Sequence, residues 1–106
     1  MSERVRGHVE RFNTAQRSGE WAPFVATFTE DAVMSFAGVP AGPYEGRDAI
    51  AEAYGQQPPS DTMSVTSVAT DGDTDVVRFA WDAGGTGTMT LRWRDGRVAG
   101  LHIAFD

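Results

Sequence analysis

Thr86-Gly87-Thr88-Met89-Thr90-Leu91-Arg92-Trp93-Arg94-Asp95-Gly96-Arg97-Val98-Ala99-Gly100-Leu101-His102-Ile103-Ala104-Phe105 reads as two β-strands joined by a two-residue turn. Asp-Gly suits that turn because both central positions must take φ > 0, which Gly accepts freely and Asp tolerates. Alternation then sorts the side chains. Met89, Leu91 and Trp93 share one face, as do Leu101, Ile103 and Phe105 on the second strand, and both sets are large and apolar. The opposite face carries Thr88, Thr90, Arg92, Arg94 and His102, with Gly100 and Ala104 between them. A hairpin with one greasy and one polar face must pack on something apolar.

Upstream, the same period continues. Met63–Thr70 and Asp75–Trp81 are β-branched or aromatic runs bounded by Asp71-Gly72-Asp73 and Ala83-Gly84-Gly85, with Val77, Phe79 and Trp81 on the apolar face and Arg78 opposite. The expectation is a four-stranded antiparallel meander. Before it the period is helical. Val5, Val9, Phe12 and Gln16 recur every three or four residues over Glu3–Arg17, closed by Ser18-Gly19. A second helix is expected over Trp21–Thr29, with Trp21, Phe24, Val25 and Phe28 on one side and Pro23 in its first turn. Asp31–Phe36 reads as a short strand, Gly38–Pro43 as a loop, and Arg47–Tyr54 as a third helix stopped by Gly55 and Pro58-Pro59. Helices first and a sheet last predict an α+β fold with the helices gathered on one sheet face.

Composition sets limits. The 106 residues fit one domain, residues 1–106, and 41% hydrophobic content allows a core. Nine Arg, no Lys and fifteen acidic residues give a net charge of −6, which disfavours nucleic acid and anionic membrane surfaces as partners. Without Cys there is no thiolate chemistry or Cys-based metal site. No apolar run has the length of a membrane span, so a cytoplasmic location is the default expectation.

The order of elements, three helices and a short strand before a curved meander, resembles the nuclear-transport-factor-2-like superfamily. Gly19–Val33, an aromatic-spaced helix running into Asp31-Ala32-Val33, is similar to its helix-turn pattern. Pro43–Ile50 resembles its Gly-x-x-x-Ile helix start, and Leu91–Val98 its last hairpin. The resemblance implies a cone-shaped, cystatin-like arrangement in which helices roof a curved antiparallel or mixed sheet and leave a cavity open at one end. Its members include ketosteroid isomerases, SnoaL-type polyketide cyclases, epoxide hydrolases and non-catalytic binding modules. The isomerase's proton-handling Tyr, base Asp and neutral Asp fall by ungapped alignment on Phe12, Phe36 and Met89, none of which can move a proton. Steroid isomerisation by an Asp base, with a Tyr and a protonated Asp as oxyanion donors, has no counterpart in those three side chains. The epoxide-hydrolase Arg and Asp pairing is also missing, since Arg92 and Arg94 alternate outward and Ile103 takes the inward position. Asp106 resembles an acidic residue near the end of the last strand in SnoaL-like proteins.

Within that frame the expected ligand wall is Phe12, Phe28, Phe36, Tyr44, Tyr54, Met63, Phe79, Trp81, Met89, Leu91, Trp93, Leu101, Ile103 and Phe105, suited to a flat hydrophobic guest. In most proteins such residues are simply core. His8, one turn before Phe12, is the candidate catalytic acid or base, against the plainer reading of a rim histidine bonded to backbone or solvent. Tyr44 and Tyr54 are candidate hydrogen-bond donors. Asp31, Asp48 and Glu30 read as turn and helix-end residues, and Ser35 has no evident base beside it. His102 points to the polar face, so the two histidines form no metal site. Asp71, Asp73 and Asp75 around Gly72 begin like a calcium loop, but no Glu follows at the twelfth position and a hairpin is the simpler reading. The chain is thus expected to hold or transform a small hydrophobic molecule without a cofactor, or else to serve as a carrier or a dimeric interaction module. Its homodimer contact would use the outer sheet face.

Overall fold

The computed structural model describes residues 2–106. Helix α1 (Glu3–Ser18) is followed by a single turn, α2 (Ala22–Val25), then by β1 (Phe28–Ala37), β2 (Tyr44–Glu45), α3 (Arg47–Gln56) and four strands, β3 (Met63–Asp71), β4 (Thr74–Trp81), β5 (Thr86–Arg94) and β6 (Arg97–Phe105). The fold is α+β: the helices pack on one face of a curved six-stranded mixed sheet of order β2-β1-β6-β5-β4-β3.

The meander forms as the turn chemistry demands. At the β5–β6 hairpin Asp95 and Gly96 sit at φ 53° and 76°, and Arg94 pairs with Arg97 across it. Asp71 likewise faces Thr74 across the β3–β4 turn, so this acidic run is a hairpin. Gly19 ends α1 in the left-handed region at φ 78°, its N–H reaching the Ala15 carbonyl at 2.8 Å.

Three local expectations need correction. The helical spacing of Trp21–Thr29 does not hold beyond Val25. Thr27 turns its N–H and hydroxyl onto the Phe24 carbonyl, and Phe28 and Thr29 already belong to β1 because Phe28 pairs with Val98. A long-range ladder there outweighs local periodicity. The segment after Gly38–Pro43 is also more than a lead-in to α3, since Tyr44 and Glu45 pair back antiparallel on Met34 and Val33. Helix α3 runs through Gly55 to Gln56, two residues past its expected end, before Pro58 blocks it.

The sheet bends where strands carry an extra residue. Arg92 pairs with Gly100 and Trp93 with Val98, leaving Ala99 bulged, and a second irregularity lies between Val65 and Ser67. The bulge explains why adjacent Val98 and Ala99 are both buried when strict alternation would expose one of them. Curvature wraps the apolar face around α1, whose Val5, Val9, Phe12 and Ala15 lie in the core with Phe24, Ile50, Val77 and Leu91.

Candidate functional site

The two ends of the sheet differ in how they are filled. At the end holding Trp93 the core is filled. Asp75, fully buried in β4, accepts hydrogen bonds from Arg4 Nε at 2.7 Å, Trp93 Nε1 at 2.9 Å and Thr70 Oγ1 at 2.5 Å, while the Arg4 guanidinium lies 5.5 Å from the Trp93 ring centroid. Burial pushes the Asp75 carboxyl up, but the donors from Arg4, Thr70 and Trp93 and the Arg4 charge together hold it below the usual range. This anchor ties the first turn of α1 to the closed end.

At the other end β1, β4 and β6 finish and β3 and β5 begin, and the side chains diverge. They enclose a cavity of about 540 Å³ open to solvent. Its wall includes seven aromatic side chains (Phe12, Phe36, Tyr44, Tyr54, Phe79, Trp81 and Phe105), with Met34, Met63, Met89 and Ile103 among them. Stacking fixes several of these rings: Tyr54 lies 4.7 Å from Trp21 at 14°, and Trp81 meets Phe79 edge-on at 5.3 Å. Gly87 in β5 makes room for this packing. A Cβ there would stand 2.6 Å from the Phe79 ring and 2.9 Å from the Ala104 carbonyl. Asn13 locks the roof to the edge of the sheet, its amide giving to the Met63 carbonyl and accepting from the Met63 N–H, both at 2.9 Å.

Polar groups are few and gather at the mouth, where Gln57, Ser60 and Asp61 lie beside Ala83 and Gly84 of the β4–β5 turn. Asp61 is held in place by backbone, its carboxylate accepting from the N–H groups of Thr62 at 2.9 Å and Ala83 at 2.6 Å. Val39 and Phe105, 40% and 44% exposed, extend the apolar surface past the rim. Burial pushes the Tyr54 phenol well above its ordinary range, so at neutral pH it stays protonated and can only act as a neutral hydrogen-bonding group.

Phe12, Phe36, Tyr44, Tyr54, Met63, Phe79, Trp81, Met89, Ile103 and Phe105 are thus placed on the cavity wall, whereas Phe28, Leu91, Trp93 and Leu101 pack in the core away from it. His8 is placed behind the wall rather than on it. Its ring lies 5.0 Å from Phe24, 6.1 Å from Phe28 and 6.3 Å from Trp93, and its buried Nδ1 has no hydrogen-bond partner. Burial first, and then the Arg11 charge, lower its pKa to about 4. The helical period that aligns His8 with Phe12 is correct, but one turn toward the N-terminus lies over the filled end of the cone.

Ser35 also differs from expectation. Parallel pairing sets it beside His102 across β1 and β6, with Ser35 Oγ 2.8 Å from His102 Nδ1 on the outer face. Only a long-range register brings them together. Asp106 turns outward too, accepting from Arg78 at 3.1 Å and Thr86 at 2.6 Å. Arg94 bonds Asp31 there, and with Thr29 it holds that carboxyl down to about 2. Among the described residues no three His, Asp or Glu side chains converge as metal ligands would. The mouth residues Gln57, Ser60, Asp61, Ala83 and Gly84 escape a reading based on strand alternation, since they lie in connections; the Pro58-Pro59 break and the glycine turn are the local marks of that rim.

The fold recurs in solved structures. A candidate isomerase from Bacillus subtilis superposes with a TM-score of 0.78 at 17% identity, covering 100% of this chain and 90% of that one. A candidate ketosteroid isomerase from Kribbella flavida DSM 17836 gives 0.72 at 19% identity, over 99% and 79% of the two chains. A candidate polyketide cyclase from Sinorhizobium meliloti gives 0.69 at 23% identity, over 92% and 93%. At such identities the likeness concerns the fold alone. No curated protein sequence matches significantly. Residues 9–101, spanning both the roof and nearly all of the sheet, match the SnoaL-like domain family, and the chain therefore belongs to that family.

Proposed function

We propose that this SnoaL-like domain binds a flat hydrophobic small molecule in the open end of its cone and acts as a holder of that molecule rather than as an acid–base catalyst. The observation that carries the reading is the wall itself. Rings and thioethers surround a cavity of about 540 Å³, and among the described residues no His or Arg lines it. A preformed apolar cavity with a few polar groups at its mouth suits such a guest. Phe12, Phe36 and Met89, the positions where a steroid isomerase of similar layout would carry its proton-handling groups, all line the cavity.

A catalytic reading takes its interest from the candidate isomerases and cyclase of the same fold. It would have to run through Tyr44, Tyr54 or Asp61, because His8 lies behind the wall. The test is a titration with N-phenyl-1-naphthylamine, an uncharged apolar fluorophore, following its emission and the quenching of Trp81. Saturable binding is expected, and Ile103→Trp, which fills the cavity, should weaken it at least tenfold while the far-UV spectrum is unchanged. Binding that survives in a folded Ile103→Trp variant would place the guest elsewhere and sink the proposal.

A further inference from the structure

We infer that the cavity selects a cationic guest, an aromatic or alkyl ammonium, over neutral and anionic molecules of the same shape. The inference rests on the binding role proposed above and concerns the charge of the ligand. Three observations carry it. The cavity is lined by seven aromatic side chains, Phe36, Tyr44, Phe79, Trp81 and Phe105 on the sheet and Phe12 and Tyr54 on helices, and an aromatic face attracts a cation held within about 6 Å. Trp81, the ring type best suited to this, stands at the mouth, since it pairs with Met63 two residues after Asp61 and lies one turn from Ala83.

The second observation is the single carboxylate of the wall among the described residues. Asp61 uses its two oxygens on the N–H groups of Thr62 and Ala83, which fix its direction yet leave lone pairs free, because each carboxylate oxygen accepts more than one bond. An ammonium entering the mouth therefore meets a charge that is already oriented and loses little further order on pairing. The third is the lack of any opposing cation: among the described residues no Arg or His lines the cavity, and the chain carries a net charge of −6. Arg17 acts electrostatically on Asp82, whose carboxylate bonds Thr62 and Ser64 rather than the cavity. A carboxylate guest would meet a rim that repels it, whereas an ammonium would be attracted both by the field of the whole protein and by the rim.

The experiment compares three naphthalenes of similar size by calorimetry: 2-naphthylmethylammonium, 2-naphthylmethanol and 2-naphthylacetate. The cation is expected to bind about tenfold more tightly than the alcohol, and the acetate more weakly than either. Asp61→Asn should reduce the preference for the cation over the alcohol by about fivefold. Because Asn keeps only one acceptor for the two N–H groups, Trp81→Leu provides a second variant, which should cost the cation more than the alcohol. Equal affinity for alcohol and cation on the parent protein would overturn the charge preference while the cavity reading stands. Failure of all three to bind would overturn both.

Discussion

Replacing His8 with Leu should remove a specific acid sensitivity of the fold. The imidazole is buried against Phe24, Phe28 and Trp93, and its pKa falls from 6.5 to about 4. The sign follows from proton counting. Between those two values the unfolded chain holds the proton that the folded chain refuses, so stability declines as pH falls from 6.5 toward 4 and changes no further from this group below that. At about 1.4 kcal/mol per pH unit, the loss is about 2 kcal/mol at pH 5 and about 3 kcal/mol at pH 4. His8→Leu keeps the apolar volume and has nothing to titrate. It also removes the unpartnered buried Nδ1, which should raise stability at pH 7 by about 1 kcal/mol. Urea unfolding followed by tryptophan emission at pH 7, 6, 5 and 4 gives both quantities, and carboxylates common to the two proteins cancel in the difference. Parallel pH curves for parent and variant would refute the reasoning, since His8 would then titrate alike in the folded and unfolded chain.

Other perturbations reach different parts of the cone. Asp75→Ala strands Arg4 and the Trp93 indole N–H at the closed end and should cost about 3–5 kcal/mol in urea unfolding; a loss under about 1 kcal/mol would show that the anchor is replaceable by water. Gly87→Ala forces a methyl against Phe79 and the Ala104 carbonyl, so destabilisation of about 1–3 kcal/mol and weaker uptake of N-phenyl-1-naphthylamine should appear together. Asn13→Ala frees the Met63 backbone, and amide exchange at Met63 should accelerate while that of Val77 in the central sheet stays slow.

What the chain discloses before folding is mostly what is local in it. The Asp95-Gly96 turn, the alternation of Val77, Phe79 and Trp81, and the helical spacing of Val5, Val9 and Phe12 each follow from neighbours a few residues apart, and these elements form as read. Phe28 and Thr29 look helical because nothing nearby reveals Val98, and Tyr44 looks like a loop end because its partner Met34 lies beyond the turn. The same divide runs through the site. Inward positions such as Phe36, Met89 and Ile103 follow from alternation, but alternation does not say where along the cone the space begins. That shows only in the packed chain, where Trp93 and Leu91 pack as core while Trp81 lines the opening. Ser35 and His102 lie further still from local reach, 67 positions apart in the chain.

The parallel pairing of β1 with β6 has a bearing on how the molecule is made. As the chain leaves the ribosome, β1 emerges early with only the two residues of β2 to pair with, and its principal neighbour arrives with the final strand. Until then Met34 and Phe36 have no completed sheet to join, so nascent chains stopped before β6 should remain sensitive to protease along β1, however well the β3–β5 portion has formed. Completion of the sheet is thereby deferred until β6 has been made.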